Sequence, residues 1–311
     1  MLRIATIGTS PITSDFIEEV NAREDAVFVG TLSRDAGRAQ AFTSERGGTH
    51  PFTALEDLAA SSEVDAVYIG SPNALHAEQA LACIAGGKHV LVEKSFAANE
   101  HEARRVFEAA EQAGVVALEM ASGALMDMGV YTVEPMIELF GAPDEILAAP
   151  VLLDESTRDL THGALDGAGE IIARYPDKLV ALHWSKISND VLPSQIEGEE
   201  ATLTFAGTSE PEWLRIKYRG TVTRSSAKQA RTTGEPQIEE RQLDAVENSM
   251  VFELADFVGA VEAVRGGTSA LEAPAGTFGT VAHFRNVTLA SLAVMDEARR
   301  QMGVRFPADA R

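Results

Sequence analysis

The chain has a single cysteine, Cys83, in 311 residues, so no intramolecular disulfide and no multi-cysteine metal site can form. A reducing compartment suits it. Its seven histidines show no His-x-x-x-His spacing, which leaves the sequence without a metal-ligand motif. No apolar run approaches the about 18 residues of a membrane span, and Met1 to Ile7 run straight into a strand pattern without a basic leader. The expectation is a cytoplasmic protein with no membrane partner. Basic residues are scarce: 26 against 47 acidic ones leave a formal charge of −21, which repels a phosphate backbone and excludes nucleic acid. An anionic cofactor stays compatible, because backbone amides and one or two local cations outweigh distant, screened charge. Low-complexity blocks and internal repeats are also missing, and 45% apolar residues supply two full-sized cores.

What is present is an alternation of short β-rich runs with helical segments over residues 2 to 120. Strands are expected at Arg3 to Ile7, Ala26 to Leu32, a short segment before Thr53, Asp65 to Ile69, His89 to Val92 and Val115 to Leu118. Helices are expected at about Ile12 to Ala22, from near Asp35, at Ala74 to Ala85 and at Asn99 to Ala113. Gly86-Gly87 can cap the third in the left-handed conformation, and Gly114 stops the fourth. This predicts an α/β domain over residues 1–120, a doubly wound parallel sheet with helices on both faces. From about Ala148 the strands lengthen and alternate, as in Leu179 to Ile187 and Ala201 to Phe205. They predict a largely antiparallel sheet in an α+β C-terminal domain, residues 121–311, ending in helices near Phe252 to Arg265 and Thr277 to Met302.

The turn after the first strand, Gly8-Thr9-Ser10-Pro11-Ile12-Thr13, is a reduced dinucleotide fingerprint. Gly8 keeps the tight turn, but Ser10 and Thr13 stand where later glycines would be, so a pyrophosphate approaches larger residues at the helix N-terminus. An NAD site would present an acidic side chain to the ribose after strand two; this chain has Ser33-Arg34-Asp35. Arg34 can pair with a 2′-phosphate and Ser33 can donate to it, which favours NADP over NAD. The plainer alternative makes Ser33 a helix cap and Arg34 a solvated side chain. Gly70-Ser71-Pro72-Asn73-Ala74-Leu75-His76 lies at the carboxyl edge where doubly wound sheets bind ligands, although Asn73 and His76 alone would read as a cap and a first-turn histidine. Val92-Glu93-Lys94-Ser95 ends a buried strand with a lysine that packing does not require. Beside a nicotinamide ring Lys94 could exchange a proton with a substrate hydroxyl; the structural alternative pairs it with Glu93 or Glu119. The expected cofactor contacts are thus Gly8, Thr9, Ser10, Ile12, Ser33, Arg34, Ser71, Pro72, Asn73, His76, Glu93 and Lys94.

These segments resemble the glucose-fructose oxidoreductase, inositol dehydrogenase and rhizopine catabolism (Gfo/Idh/MocA) family, over nearly the whole chain. The likeness rests on Gly70 to His76, Ala85 to Lys94, Gly123 to Tyr131, Pro193 to Leu203 and Arg300 to Asp309. It implies a C-terminal domain whose open sheet packs face to face in a homodimer, and a small hydroxylated substrate. It also implies that Lys94 matches the lysine of the family's Glu-Lys-Pro motif, and that Asp127 and Tyr131 fall on its second catalytic stretch. Many members have histidine at the position of Tyr131, whereas those acting like glucose-fructose oxidoreductase or dihydrodiol dehydrogenase have tyrosine there. On that pattern Tyr131 gives or takes the proton, Lys94 is its electrostatic partner and Asp127 orients one of them. Hydride meanwhile moves between nicotinamide and a carbinol carbon of a sugar, polyol or dihydrodiol. Without the family pattern, Asp127 reads as a helix cap and Tyr131 as a packing residue.

Two departures matter. Ser95 replaces the proline after the lysine, and a trans peptide at that point would re-aim Lys94. Near Met120 the chain also lacks several dozen residues that the family pattern places there, including a helix, the last Rossmann strand and residues bordering the substrate. Such a deletion would leave the sheet edge short and the pocket open. It favours the rival reading, a non-catalytic NADP-binding sensor or regulatory protein of the same fold.

Overall fold

The computed structural model describes residues 1–119, 125–153, 165–208, 210–226, 229–233, 235–244, 246–277 and 279–310, with the backbone alone over 221–233. The described chain forms two compact units, Met1–Ile187 with Asn248–Arg311, and Ser188–Glu247.

The first unit is built on five parallel strands, β1 (Leu2–Ile7), β2 (Ala26–Leu32), β3 (Ala66–Ile69), β4 (His89–Val92) and β5 (Ala117–Glu119), in the order β2-β1-β3-β4-β5. Alternate side chains serve opposite cores. Leu2, Ile4, Tyr68, Leu91, Val116 and Leu118 pack with α1 (Pro11–Asn21) and α7 (Met250–Arg265) through Phe16, Ile17, Leu254 and Phe257. Ala5, Ile7, Val67, Ile69, Val90 and Val92 meet α4 (His76–Ala85), α5 (Glu100–Ala113) and α8 (Val281–Met302) on the other face. Burial on both faces is why these strands read as nearly unbroken apolar runs.

Most expected elements are present with bounds moved by a few residues. The strand before Thr53 is not: Phe52 makes one parallel bridge to Leu32, and the chain then forms the short helix α3 (Leu55–Ala60). Phe52 donates to Thr31 O at 2.9 Å and accepts from Ser33 N–H at 3.1 Å, and pairing stops there because the chain turns into that helix. The helix expected from Ala74 begins as a single 3-10 turn, Asn73–Leu75, and α4 starts at His76. Gly86 closes α4 with φ −82°, so the left-handed position belongs to Gly87 alone.

Strand order reverses at β1, with β2 on one side and β3 on the other, so a crevice opens at their carboxyl ends. The ladder continues past the strands: Gly70 N–H donates to Ile7 O at 2.9 Å and Glu93 N–H to Ile69 O at 2.9 Å. These bonds bring the residues that follow β1, β3 and β4 to one edge. After residue 125 come α6 (Val130–Phe140) and an antiparallel sheet of β6 (Glu145–Leu152), β7 (Asp166–Arg174) and β8 (Leu179–Ser185). Its inner side buries Ile146, Ile171, Leu182 and Trp184; Leu147, Ile172 and Leu179 are exposed.

The second unit holds a four-stranded antiparallel sheet, β9 (Ser194–Glu197), β10 (Ala201–Phe205), β11 (Trp213–Tyr218) and β14 (Ile238–Gln242), with the hairpin β12 (Thr221–Ser226) and β13 (Gln229–Thr233). Among the described residues no helix is long and apolar enough to cross a membrane.

Candidate active site

The crevice between β1 and β3 is made by two glycines. Gly8 has φ +115°, and a Cβ on it would lie 2.6 Å from Gly70 O, so neither the turn nor the close approach admits a side chain. Ser10 takes the N-cap of α1: its Oγ accepts from Thr13 N–H at 3.4 Å and lies 3.0 Å from Thr13 Oγ1. Thr9 is half-buried beside it, and Ile12 is 38% exposed in the first helical turn. The opening therefore combines a side-chain-free turn with the N-terminus of an 11-residue helix, a combination suited to an anion.

At the end of β2, Ser33 is half-buried and Arg34 exposed. The helix cap there is Asp35, which accepts from Arg38 N–H at 2.7 Å, so the capping role considered for Ser33 falls two residues further on. Among the described residues Arg34 makes no ion pair. After β3, Ser71 Oγ donates to Gln79 Oε1 at 2.6 Å, and Pro72 and Asn73 lead into the 3-10 turn. His76 is fully buried, with Nε2 2.6 Å from Ser71 O and Nδ1 2.9 Å from Ser95 O. A strut thus joins the loop after β3 to the turn after β4. Burial pushes the imidazole below its usual pKa, against the two carbonyls, and a neutral ring donates to only one of them.

Glu93 and Lys94 diverge at the end of β4. The Glu93 side chain is buried, accepting from Tyr68 Oη at 2.7 Å and from Lys94 N–H at 3.3 Å, and burial raises its carboxyl above the usual range. The Lys94–Ser95 peptide is cis. Lys94 Nζ lies 3.1 Å from Asp127 Oδ1, while Ser95 Oγ donates to Met126 O at 2.9 Å. The partner of Lys94 is therefore Asp127, not Glu93 or Glu119. Asp127 precedes α6, whose N-cap is Gly129, so it is no helix cap. Its other oxygen is paired with Lys186, just beyond β8, a residue the sequence reading missed because the contact spans 59 positions with no local motif. Burial works to raise the Asp127 carboxyl, but its bonds to Lys186 and Lys94 outweigh that and hold it below the usual range.

Tyr131 lies in the first turn of α6, half-buried, and its hydroxyl has no hydrogen-bond partner among the described residues. It shares with Asp127 the short segment that meets Lys94, without a direct bond to the lysine. Gly123, with which the expected motif begins, lies outside the described residues, as does the position near Met120.

An anion-suited turn and a fixed lysine on one edge of a doubly wound sheet make up the arrangement of a dinucleotide-dependent oxidoreductase. The sequence pattern of the oxidoreductase family Gfo/Idh/MocA, with its NAD-binding Rossmann fold, matches residues 2–120. The scyllo-inositol 2-dehydrogenase (NADP(+)) of Bacillus subtilis (strain 168) is 31% identical, covering 99% of this chain and 99% of its own. The chain belongs to the Gfo/Idh/MocA family of oxidoreductases. That alignment runs over 361 positions, 50 more than the chain has residues, so at least 50 positions of the relative have no counterpart here. The inositol 2-dehydrogenase of Paracoccus denitrificans (strain Pd 1222) is 32% identical over 48% of this chain and 45% of its own. A 3-ketoreductase from Actinomadura kijaniata, solved with TDP-benzene and NADP, shares the fold with a TM-score of 0.74 at 20% identity, over 97% of this chain and 98% of its own.

Proposed function

We propose that the protein is an NADP(H)-dependent oxidoreductase that interconverts a hydroxyl-bearing carbon and a carbonyl in a sugar, polyol or dihydrodiol. The observation that carries this reading is the Lys94–Asp127 contact at the carboxyl end of β4, on the sheet edge that also holds the Gly8–Gly70 crevice. Relatives named as an NADP(+) inositol dehydrogenase and as a ketoreductase solved with NADP support the cofactor and the substrate class.

The residues fit that dinucleotide. Gly8, Thr9, Ser10 and Ile12 would hold the pyrophosphate at the start of α1, and Arg34 with Ser33 the 2′-phosphate. Ser71, Pro72 and Asn73 would border it from the loop after β3, while His76 and Glu93 keep that loop and the lysine turn in place. When bound, the nicotinamide supplies or accepts the hydride. Lys94, held by Asp127, stabilises the negative charge that develops on the reacting oxygen. Tyr131 passes the proton at that oxygen; its hydroxyl, without a partner among the described residues, has a donor and an acceptor to offer.

A homodimer through the β6-β7-β8 sheet belongs to the same reading. Leu147 faces Ile172 across β6 and β7, and both are exposed on the outer side with Leu179, an apolar surface a second copy would cover. Sedimentation should show two copies.

The test is turnover of a panel of inositols, aldoses and diols with NADP(+), and of their carbonyl forms with NADPH. Consumption of at least one pair is expected. Tight NADPH binding with no turnover would favour the sensor reading, which the 50-position shortfall supports.

A further inference from the structure

We propose that Glu119 is a positioning residue for this reaction: its carboxylate, at the end of β5, fixes the backbone of the turn that carries Lys94. Phe96 N–H donates to Glu119 Oε1 at 2.7 Å, two residues past the lysine and 23 positions before the acceptor. Thr288 on α8 gives the same carboxylate a second hydrogen bond. The turn is thereby held at three successive residues: Lys94 by Asp127, Ser95 by Met126 O and Phe96 by Glu119. The first two supports lie next to α6, whereas Glu119 supplies the one anchored in the sheet itself.

An amide or a backbone carbonyl could accept the Phe96 bond without the cost of enclosing a charge. A carboxyl is present instead, with others around it: Glu93 at the end of β4 and Glu134 on α6, one turn beyond Tyr131. Lys94 is the cation on the same turn. Burial pushes Glu119 up to about 7, and burial with the charge of Glu119 raises Glu134 as well. The sign follows. Below that range Glu119 is neutral and accepts weakly; as pH rises through it, the ionised group makes a charge-assisted bond to Phe96 and the turn tightens.

The inference rests on the oxidoreductase reading, and two measurements separate their failures. In steady state, kcat of the wild type should rise across about pH 7, and Glu119→Gln, which keeps an acceptor oxygen but cannot ionise, should abolish that step. Glu119→Ala should lower kcat by about tenfold to a hundredfold while NADPH affinity stays within about twofold. Independently of turnover, hydrogen exchange should quicken in Glu119→Ala at residues 94–97 and nowhere else, with Glu119→Gln resembling the wild type below about pH 7. Unchanged kcat and exchange in Glu119→Ala would overturn the proposal. So would exchange raised throughout the domain with NADPH affinity falling in step with kcat, the mark of a purely structural residue. An inactive wild type with segment-specific exchange would sink the oxidoreductase reading and leave Glu119 as the anchor of the turn.

Discussion

Lys94 and Asp127 lie 33 positions apart in the chain, yet their charged atoms meet at 3.1 Å. The lysine leaves a buried strand and the aspartate leads into α6, so the ion pair joins the dinucleotide edge of the sheet to the helix that bears Tyr131. With side-chain exposures of 24% and 45% the pair is too open to contribute much stability, and its value lies in placement.

Lys186 should act through Asp127. The carboxylate is held low by two cations, so removing one in Lys186→Ala raises its pKa. If catalysis needs ionised Asp127, activity falls as pH drops through that value, and the acid limb of kcat/KM should move to higher pH. An acid limb identical to the wild type's would assign Lys186 no part in the site.

Nucleotide choice should depend on Arg34. Loss of a charge-assisted pair to the 2′-phosphate in Arg34→Ala should weaken NADPH by about tenfold or more while NADH changes little. Titration of both nucleotides by fluorescence checks this. Equal losses would remove the reason for preferring the phosphorylated cofactor.

Acid stability should depend on Asp65. Burial alone would raise its carboxyl, but hydrogen bonds and charge from Arg3, with Arg265 on α7 adding to them, lower it to about 2. A depressed carboxyl stabilises the folded chain above its unfolded value, and that contribution is lost as pH falls from about 4 to about 2. With solvent screening allowed for, Asp65→Asn should cost about 1 to 2 kcal/mol near neutral pH and about half as much near pH 3. Urea unfolding at the two pH values measures it; a loss that is the same at both would contradict the assignment.

The parallel sheet was legible because both faces of each strand are buried, so β1, β2, β3 and β4 appear as apolar runs between helical segments. The segment before Thr53 reads as a strand but yields a single bridge, Phe52 to Leu32, because the chain turns into α3 at Leu55. Lys94 was legible because a lysine at the end of a buried strand has no packing purpose. Its partner was legible only through the family pattern that singled out Asp127. The second cation was not: Lys186 follows an ordinary alternating strand, and only the tertiary fold brings it to Asp127. Glu119 entered the sequence reading as an ion partner for Lys94, whereas its bond goes to the backbone two residues further on.

The central claim is that Lys94 and Tyr131 act on the same reacting oxygen. Single-turnover hydride transfer, followed by nicotinamide absorbance with a substrate the wild type accepts, tests it most directly in Tyr131→Phe, Lys94→Met and the double variant. Because the two groups act as a unit, each single change should slow transfer by about a hundredfold or more, the double variant should be little worse than either, and NADPH affinity should hold. Transfer at the wild-type rate in Tyr131→Phe, or losses that multiply in the double variant, would contradict it.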